Sequence, residues 1–185
     1  MTTGTTPMDE WKHIPWKPIE RNVFKLQKRI YQASLKNDRK KVHRLQKLLM
    51  KSRSGRLLAV RRVTQDNQGK KTAGIDGVKS LTPKQRLHLS TSLKVDGKAS
   101  PLRRVEIPKP GTSETRKLGI PTMHDRALQA LVKQALEPEW EARFEANSYG
   151  FRPGRSCHDA INAICASVNQ QAKWCYDADI AKCFD

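Results

Sequence analysis

Apolar residues recur at helical spacing in the first part of the chain. In residues 19–35, and again after Asn37-Asp38, they fall every three or four positions, at Val23, Leu26, Ile30, Ala33, Val42, Leu45, Leu48 and Leu49. The pattern predicts two amphipathic helices, with residues 52–55 closing the second before a third helix over 57–63. Residues 1–18 are polar apart from Trp11 and Trp16, and we expect a loosely ordered lead-in there.

Strand alternation and helix caps organise the rest of the chain. Apolar residues alternate with charged ones on both arms of residues 102–121, which predicts a β-hairpin with its turn at 108–116. Caps at Thr82, Thr122 and Ser156 predict three helices, of which the first runs to about residue 94, the second ends at Pro138 and the third reaches Val168. The second should bury Ala127, Leu128, Leu131, Val132, Ala135 and Leu136. Residues 174–180 have the pattern of a short strand, and the predicted fold class is α+β.

Positive charge dominates the chain as far as residue 136. The 185 residues include 36 Lys and Arg against 18 Asp and Glu, a formal net charge of +18, although residues 137–185 carry more acidic than basic side chains. Such a field favours nucleic acid as the partner, with an anionic membrane or an inert solvated face as alternatives. We expect the second helix to hold an RNA backbone through Arg39, Lys40, Lys41, Arg44, Lys47 and Lys51.

Composition also indicates the compartment. No segment approaches the roughly 20 apolar residues that cross a bilayer, and residues 1–7 lack the apolar core of a secretory signal. The four cysteines, at positions 157, 165, 175 and 183, show no C-x-x-C spacing. We therefore expect free thiols, a cytoplasmic location and no membrane partner.

Two aspartates, Asp177 and Asp179, end the predicted last strand. Carboxylates at a buried strand end are costly unless a cation neutralises them, and hard oxygen ligands suit Mg²⁺ held together with substrate phosphates. Lys109 and Arg116 flank the predicted hairpin turn and could neutralise a triphosphate. The alternative is an exposed edge strand whose two aspartates are simply solvated.

Ordered sequence blocks resemble those of group II intron-encoded reverse transcriptases. PLRRVEIPKP at 101–110 and RKLGIPT at 116–122 resemble the fingers hairpin, and TAGIDG at 72–77 resembles the block before it. NSYGFRPGRS at 147–156 resembles the next block, and DADIAKCFD at 177–185 resembles the first catalytic motif of the palm. The resemblance implies a basic helical N-terminal extension over 1–60, fingers over 61–170 and the start of a right-hand polymerase palm over 171–185.

The same resemblance implies roles for individual residues. Asp179 would be the first metal-binding aspartate, with the main-chain carbonyl of Ile180 as the adjacent Mg²⁺ ligand. Lys109 and Arg116 would contact the triphosphate of a deoxynucleotide, and Phe184 would lie under its sugar. The template strand would meet Arg103 and Arg104. The implied partners are group II intron RNA, an RNA template with a DNA primer, and deoxynucleoside triphosphates, in a bacterial or organellar-type host.

The second palm motif of that family, a Tyr- or Phe-Ala-Asp-Asp turn, does not occur in the sequence. Since one carboxylate cannot hold two Mg²⁺ ions, we expect this polypeptide alone to bind the metal weakly or not at all and to lack polymerase activity. Two functions remain open: the N-terminal part of an RNA-directed DNA polymerase and maturase, or an inactive, truncated RNA-binding module that supports splicing only. A ribosomal-type RNA-binding protein would leave the four blocks unexplained.

Overall fold

Three consecutive amphipathic helices begin the described chain: α1 spans Trp16–Leu35, α2 Arg39–Lys51 and α3 Arg53–Arg61. The computed structural model describes residues 11–111, 113–169 and 171–181. It divides the chain into two units, Met1–Ala142 and Arg143–Asp185. In α2 the side chain of the N-cap Asp38 accepts a hydrogen bond from the backbone N–H of Lys41, so the helix starts where predicted. Val42, Leu45 and Leu49 are buried as predicted, but Leu48 is 50% exposed and does not belong to the buried face.

The third helix begins earlier than predicted. Residues 53–55 lie inside α3, because the side chain of Ser52 caps it by accepting a hydrogen bond from the Gly55 backbone N–H. Ser52 alone therefore separates α2 from α3, instead of the longer break predicted over residues 52–55. A π-helical turn, Arg62–Asp66, and a 3₁₀ turn, Gln68–Lys71, continue the chain after α3.

The expectation of a loosely ordered lead-in is wrong for residues 11–18. Trp11 is only 2% exposed, and its Nε1 donates a hydrogen bond to Oε1 of Gln65 at 3.0 Å. Trp16 begins α1 and packs edge-to-face on Trp11, with ring centroids 5.2 Å apart, while the guanidinium of Arg61 lies over its ring. Large aromatic surfaces drive this segment onto the helices; residues 1–10 lie outside the described part of the chain.

The later elements of the first unit are α4 (Pro83–Ser92), β1 (Arg103–Pro108), β2 (Thr115–Ile120) and α5 (Met123–Glu141). Thr82 and Gln85 form the predicted capping box of α4, which ends two residues before the predicted end. Strands β1 and β2 pair antiparallel, with Val105 opposite Leu118, and confirm the hairpin. On α5 most of the predicted apolar face is turned inward, but Leu136 is 42% exposed.

The prediction that Pro138 ends α5 is wrong. The ring removes one backbone N–H, so the carbonyl of Gln134, four residues earlier, loses its helical donor. Nε2 of Gln27 on α1 donates to that carbonyl at 3.0 Å and replaces the missing bond. One turn later, the Ser34 hydroxyl donates to the carbonyl of Glu139. Contacts from α1 thus allow α5 to continue to Glu141.

Two buried clusters hold the first unit together. One joins Trp11, Ile19, Leu57, Val60, Val63, Leu81, Leu89, Leu93, Met123 and Ala127. The other joins Val23, Ile30, Ala33, Val42, Leu45, Leu49, Ala59, Leu131 and Ala135. Because the second cluster takes side chains from α1, α2, α3 and α5, the basic helices share a core with the helix that follows the hairpin.

The second unit contains α6, Cys157–Val168, which starts at the predicted capping box of Ser156 and Asp159. The strand predicted over 174–180 is wrong: these residues form no regular element, and Trp174 and Tyr176 are almost fully exposed. A strand requires a neighbour for its N–H and C=O groups. Within the described residues, β1 and β2 pair only with each other.

Candidate nucleic-acid interface

Six exposed cations of α2 form what we call the basic face: Arg39, Lys40, Lys41, Arg44, Lys47 and Lys51. No Asp or Glu occurs between Asp38 and Asp66, a stretch that includes all of α2 and α3. Within the described part of the chain, no ion pair involves any of these six side chains. The basic face is therefore a surface of excess positive charge, with the N-cap carboxylate of Asp38 beside Lys40, Lys41 and Arg44, and such an excess suits a polyanion.

The opposite side of α2 fixes the orientation of the basic face. Val42, Leu45 and Leu49 are almost fully buried in the core shared with α1 and α5. Because residues at helical spacing share one side of a helix, this packing directs the charged side chains to solvent. The structure places the six predicted RNA-binding cations of α2 on one helix, and the two predicted template residues, Arg103 and Arg104, on the hairpin strand β1.

The register of the hairpin sorts its cations onto two faces. Directly opposed residues lie on the same side of a sheet, so the pairs Arg103–Ile120, Val105–Leu118 and Ile107–Arg116 share one face. The second predicted template residue, Arg104, pairs with Gly119 and lies on the other face. Arg103 and Arg116 therefore border an apolar strip, and Arg104 does not belong to it.

The two predicted triphosphate cations differ in their partners. Nζ of Lys109 lies 2.7 Å from Oε2 of Glu114 across the turn. The hydrogen bond and charge of Lys109 hold the pKa of Glu114 below its ordinary value. Arg116 is exposed and makes no ion pair within the described residues. To bind a phosphate, Lys109 would therefore have to break its ion pair with Glu114 or bind both anions at once. Arg116 has no such ion pair to break among the described residues.

Arg126, near the start of α5, locks the base of the hairpin and was not identified from the sequence. Its guanidinium donates to the carbonyls of Pro121 (2.9 Å), Gly69 (2.9 Å) and Thr72 (2.6 Å). The neighbouring Asp125 carboxylate accepts from the Thr122 hydroxyl at 2.8 Å. These bonds tie the segment before the hairpin, the end of β2 and the start of α5 into one unit.

Hydrogen bonds favour the charged form of the Asp125 carboxyl group, although this side chain is buried. Burial on its own would raise the pKa of its carboxyl group, but hydrogen bonds from Thr122, Ser100 and His124 together hold that pKa below its ordinary value. The backbone N–H of Ser100 lies 3.2 Å from Oδ2. Asp125 therefore anchors the chain just before β1 as well as capping α5.

Gly74 permits the TAGIDG segment to approach this base. A Cβ at Gly74 would lie 2.7 Å from Cα of Thr122 and 2.8 Å from the carbonyl oxygen of Pro121, both backbone atoms. Alanine there should lower the free energy of unfolding by about 1–3 kcal/mol, because backbone must move to accept it. Urea denaturation followed by circular dichroism measures this.

Gly69 provides the matched control for that substitution. A Cβ at Gly69 meets its nearest atom, Oδ1 of Asn67, at 3.6 Å, an ordinary contact. Gly69→Ala should change stability by less than about 0.5–1 kcal/mol. Equal effects of the two alanines would show that the close approach at Gly74 does not constrain the fold.

The predicted palm residues lie in the second unit. Asp179 is exposed, and its Oδ1 accepts a hydrogen bond from the backbone N–H of Ile180 at 2.8 Å. Phe184 lies outside the described residues. Among the described residues, no group of three or more His, Cys, Asp or Glu side chains could hold a metal ion.

The NSYGFRPGRS block folds around Arg152. The buried Nη1 of this arginine donates to the carbonyls of Glu145 and Ser148, each at 2.7 Å. Phe151 beside it is fully exposed with a left-handed backbone, φ +58°. Arg152 thus holds the loop through these two hydrogen bonds, while the ring of Phe151 faces solvent.

Two family profiles together match most of the chain. The N-terminal domain of reverse transcriptase matches residues 11–93, which include the basic face. Reverse transcriptase (RNA-dependent DNA polymerase) matches residues 107–185, from the hairpin onward. The chain belongs to the reverse transcriptase and maturase family of group II introns. The resemblance of the four sequence blocks is thereby confirmed.

Relatives of the chain include proteins from bacteria and from Euglena. It is 36% identical to "Protein YkfC" of Escherichia coli (strain K12) over 134 residues, 67% of this chain. It is 36% identical to "Maturase-like protein 1" of Euglena gracilis over 165 residues, 86% of this chain. It is 39% identical to "Group II intron-encoded protein LtrA" of Lactococcus lactis subsp. cremoris over 123 residues, 64% of this chain.

The matches cover only part of those relatives. The aligned region spans 35% of the length of the first two proteins and 20% of the third. No helix among the described residues combines the length and apolar character needed to cross a bilayer.

Proposed function

We propose that the chain binds group II intron RNA through the basic face, as the RNA-binding part of a reverse transcriptase and maturase. One observation carries this proposal: six exposed cations on one helix form no ion pair with any described residue, and residues 39–65 contain no Asp or Glu. Phosphate contacts of this kind supply affinity and position the protein without reading sequence. The thiols of Cys157, Cys165 and Cys175 are free and exposed, which fits a reducing cytoplasm. We propose that the chain binds the intron RNA in that compartment.

A salt titration tests this proposal. If all six cations of the basic face contact phosphates, the logarithm of the association constant should fall against the logarithm of salt with a slope of about −4 to −5. Filter binding of structured intron RNA to the 185-residue chain measures that slope. A slope near zero would contradict the proposal, because only counterion release makes affinity this sensitive to salt.

For catalysis we propose a contributing role. Arg116 and Lys109 would neutralise the triphosphate of an incoming deoxynucleotide on an RNA template with a DNA primer. Asp179 and the carbonyl of Ile180 would supply part of a Mg²⁺ site that further carboxylates must complete, and Phe184 would lie beside the sugar. With Mg²⁺, primer–template and deoxynucleotides, this polypeptide alone should give no primer extension; measurable extension would contradict the expectation.

The second candidate function is RNA binding in support of splicing without catalysis. The Lys109–Glu114 ion pair favours it, because it occupies one of the two cations that nucleotide binding would use. Glu114→Gln distinguishes the two functions. If the hairpin binds nucleotides, this change should strengthen retention of a deoxynucleoside triphosphate; if it does not, retention should be unchanged.

A further inference from the structure

A cleft of about 510 Å³ lies beside the basic face, between the end of α2, the start of α3 and the segment after α4. Four of its lining side chains are cations: Lys47, Lys51, Arg56 and Lys94. Only Lys47 and Lys51 belong to the basic face. Its volume falls within the range of about 300–1,000 Å³ typical of small-molecule sites.

The lining of the cleft carries no negative charge in the part of the chain that the structure describes. Among the described residues, no carboxylate lines it, and none of its four cations forms an ion pair there. Asp96 follows the lining residue Val95 in sequence, and its carboxylate accepts a hydrogen bond from the backbone N–H of Lys98. The cleft is therefore built for an anion.

Arg56 adds a donor that the protein does not use. Its Nε is buried and has no hydrogen-bond partner among the described residues. Its Nη1 reaches the carbonyl of Thr91 only at 3.4 Å, a long hydrogen bond. A buried N–H without an acceptor is costly, and an oxygen of a bound ligand would satisfy it.

The remaining lining residues are apolar: Met50, Leu93 and Val95. Leu93 is buried in the core, whereas Val95 is more than half exposed. An apolar floor surrounded by cations matches a ligand that combines a flat, uncharged ring with phosphate groups. A nucleotide has that composition, whereas a free phosphate would not use the floor.

We infer that this cleft binds one unstacked nucleotide of single-stranded RNA, and this inference rests on the proposed binding of RNA by the basic face. The base lies on Met50 and Val95, and the flanking phosphates meet Lys47, Lys51 and Lys94. A base inside a duplex is stacked and paired and cannot enter the cleft, whereas loops and bulges present such bases. The basic face holds the RNA backbone, and the cleft makes the chain prefer unpaired segments.

The test compares two RNAs and a matched pair of lysine variants in the 185-residue chain. Fluorescence anisotropy measures affinity for a short, unstructured oligouridylate and for a perfect RNA duplex with the same number of phosphates. Lys94→Ala should weaken oligouridylate binding by about three- to tenfold and duplex binding by less than about twofold. Lys98→Ala removes the same charge outside the cleft and should affect both RNAs equally and weakly.

A neutral variant tests the floor separately. Val95→Asn leaves the charge unchanged and should reduce the preference for oligouridylate over duplex by about threefold. Equal effects of Lys94→Ala on the two RNAs, or an unchanged preference in Val95→Asn, would overturn the inference and leave the cleft to another occupant, such as a protein segment. Salt-insensitive binding of both RNAs by the unaltered chain would instead overturn the proposed function.

Discussion

Replacing Lys40, Lys41 and Arg44 together by Glu should lower affinity for structured intron RNA by about a hundredfold at moderate salt. These three exposed cations lie in the first turns of α2 and form no ion pair within the described residues. If the basic face binds RNA as proposed, each substitution removes a phosphate contact and adds a repulsive charge. The slope of affinity against salt should become shallower by about 2 to 3.

Two controls separate the location of charge from its amount. Lys79, Lys84 and Lys98 are exposed outside the basic face, and replacing them by Glu gives the same change in net charge. This control should lower the affinity by less than about tenfold, and Lys109→Ala should lower it less than the α2 variant. Equal losses in the two triple variants would mean that RNA responds to overall charge and not to the basic face.

Leu131→Ala should lower the free energy of unfolding by about 3 kcal/mol, within the range of about 2–5 kcal/mol for a fully buried leucine. Leu131 is 1% exposed and packs in the cluster that joins α5 to α1, α2 and α3. Native domains are stable by only about 5–15 kcal/mol. The helix α2, which carries the basic face, should therefore unfold at a much lower urea concentration in this variant than in the unaltered chain. Urea denaturation followed by helical circular dichroism measures the shift.

Leu136 on the same helix is the matched control. It is 42% exposed and outside both buried clusters, so Leu136→Ala should cost less than about 1 kcal/mol. If Leu131→Ala left α1 and α2 folded in a separate, unshifted transition, the shared core would be contradicted.

The local elements were predictable because their determinants are close in sequence. The spacing of Val42, Leu45 and Leu49 defines both the buried side of α2 and the charged one. The capping pairs at Thr82 and Ser156 place helix starts within a few residues. Alternation around Val105 and Leu118 predicts the hairpin, and the register then sorts its cations onto two faces.

Interactions between distant residues account for the wrong predictions. Pro138 would end a helix on its own, but Gln27, more than a hundred positions away, supplies the missing donor. Trp11 was assigned to a loosely ordered lead-in because the local residue pattern does not reveal its hydrogen-bond acceptor, Gln65, which lies 54 positions away. The expected strand over 174–180 depended on neighbouring strands, which the described residues do not supply.

The residues of the candidate site also divide into those that local sequence predicts and those that depend on distant contacts. The six cations of the basic face follow from helical periodicity alone. The roles of Arg126 and Lys94 do not, since one depends on three carbonyls of a remote loop and the other on a cleft between three segments. The position of Arg126 directly after the Thr122–Asp125 cap was a sequence signal for its role. Lys94 has no comparable motif beside it.

Lysine footprinting tests the basic face most directly. The chain is acetylated with and without saturating intron RNA, and the modification of each lysine is measured by mass spectrometry. Lys40, Lys41, Lys47 and Lys51 should lose most of their reactivity in the complex, while Lys79 and Lys133, exposed elsewhere in the first unit, should keep theirs. Unchanged reactivity of the four α2 lysines in an RNA-saturated sample would contradict the account.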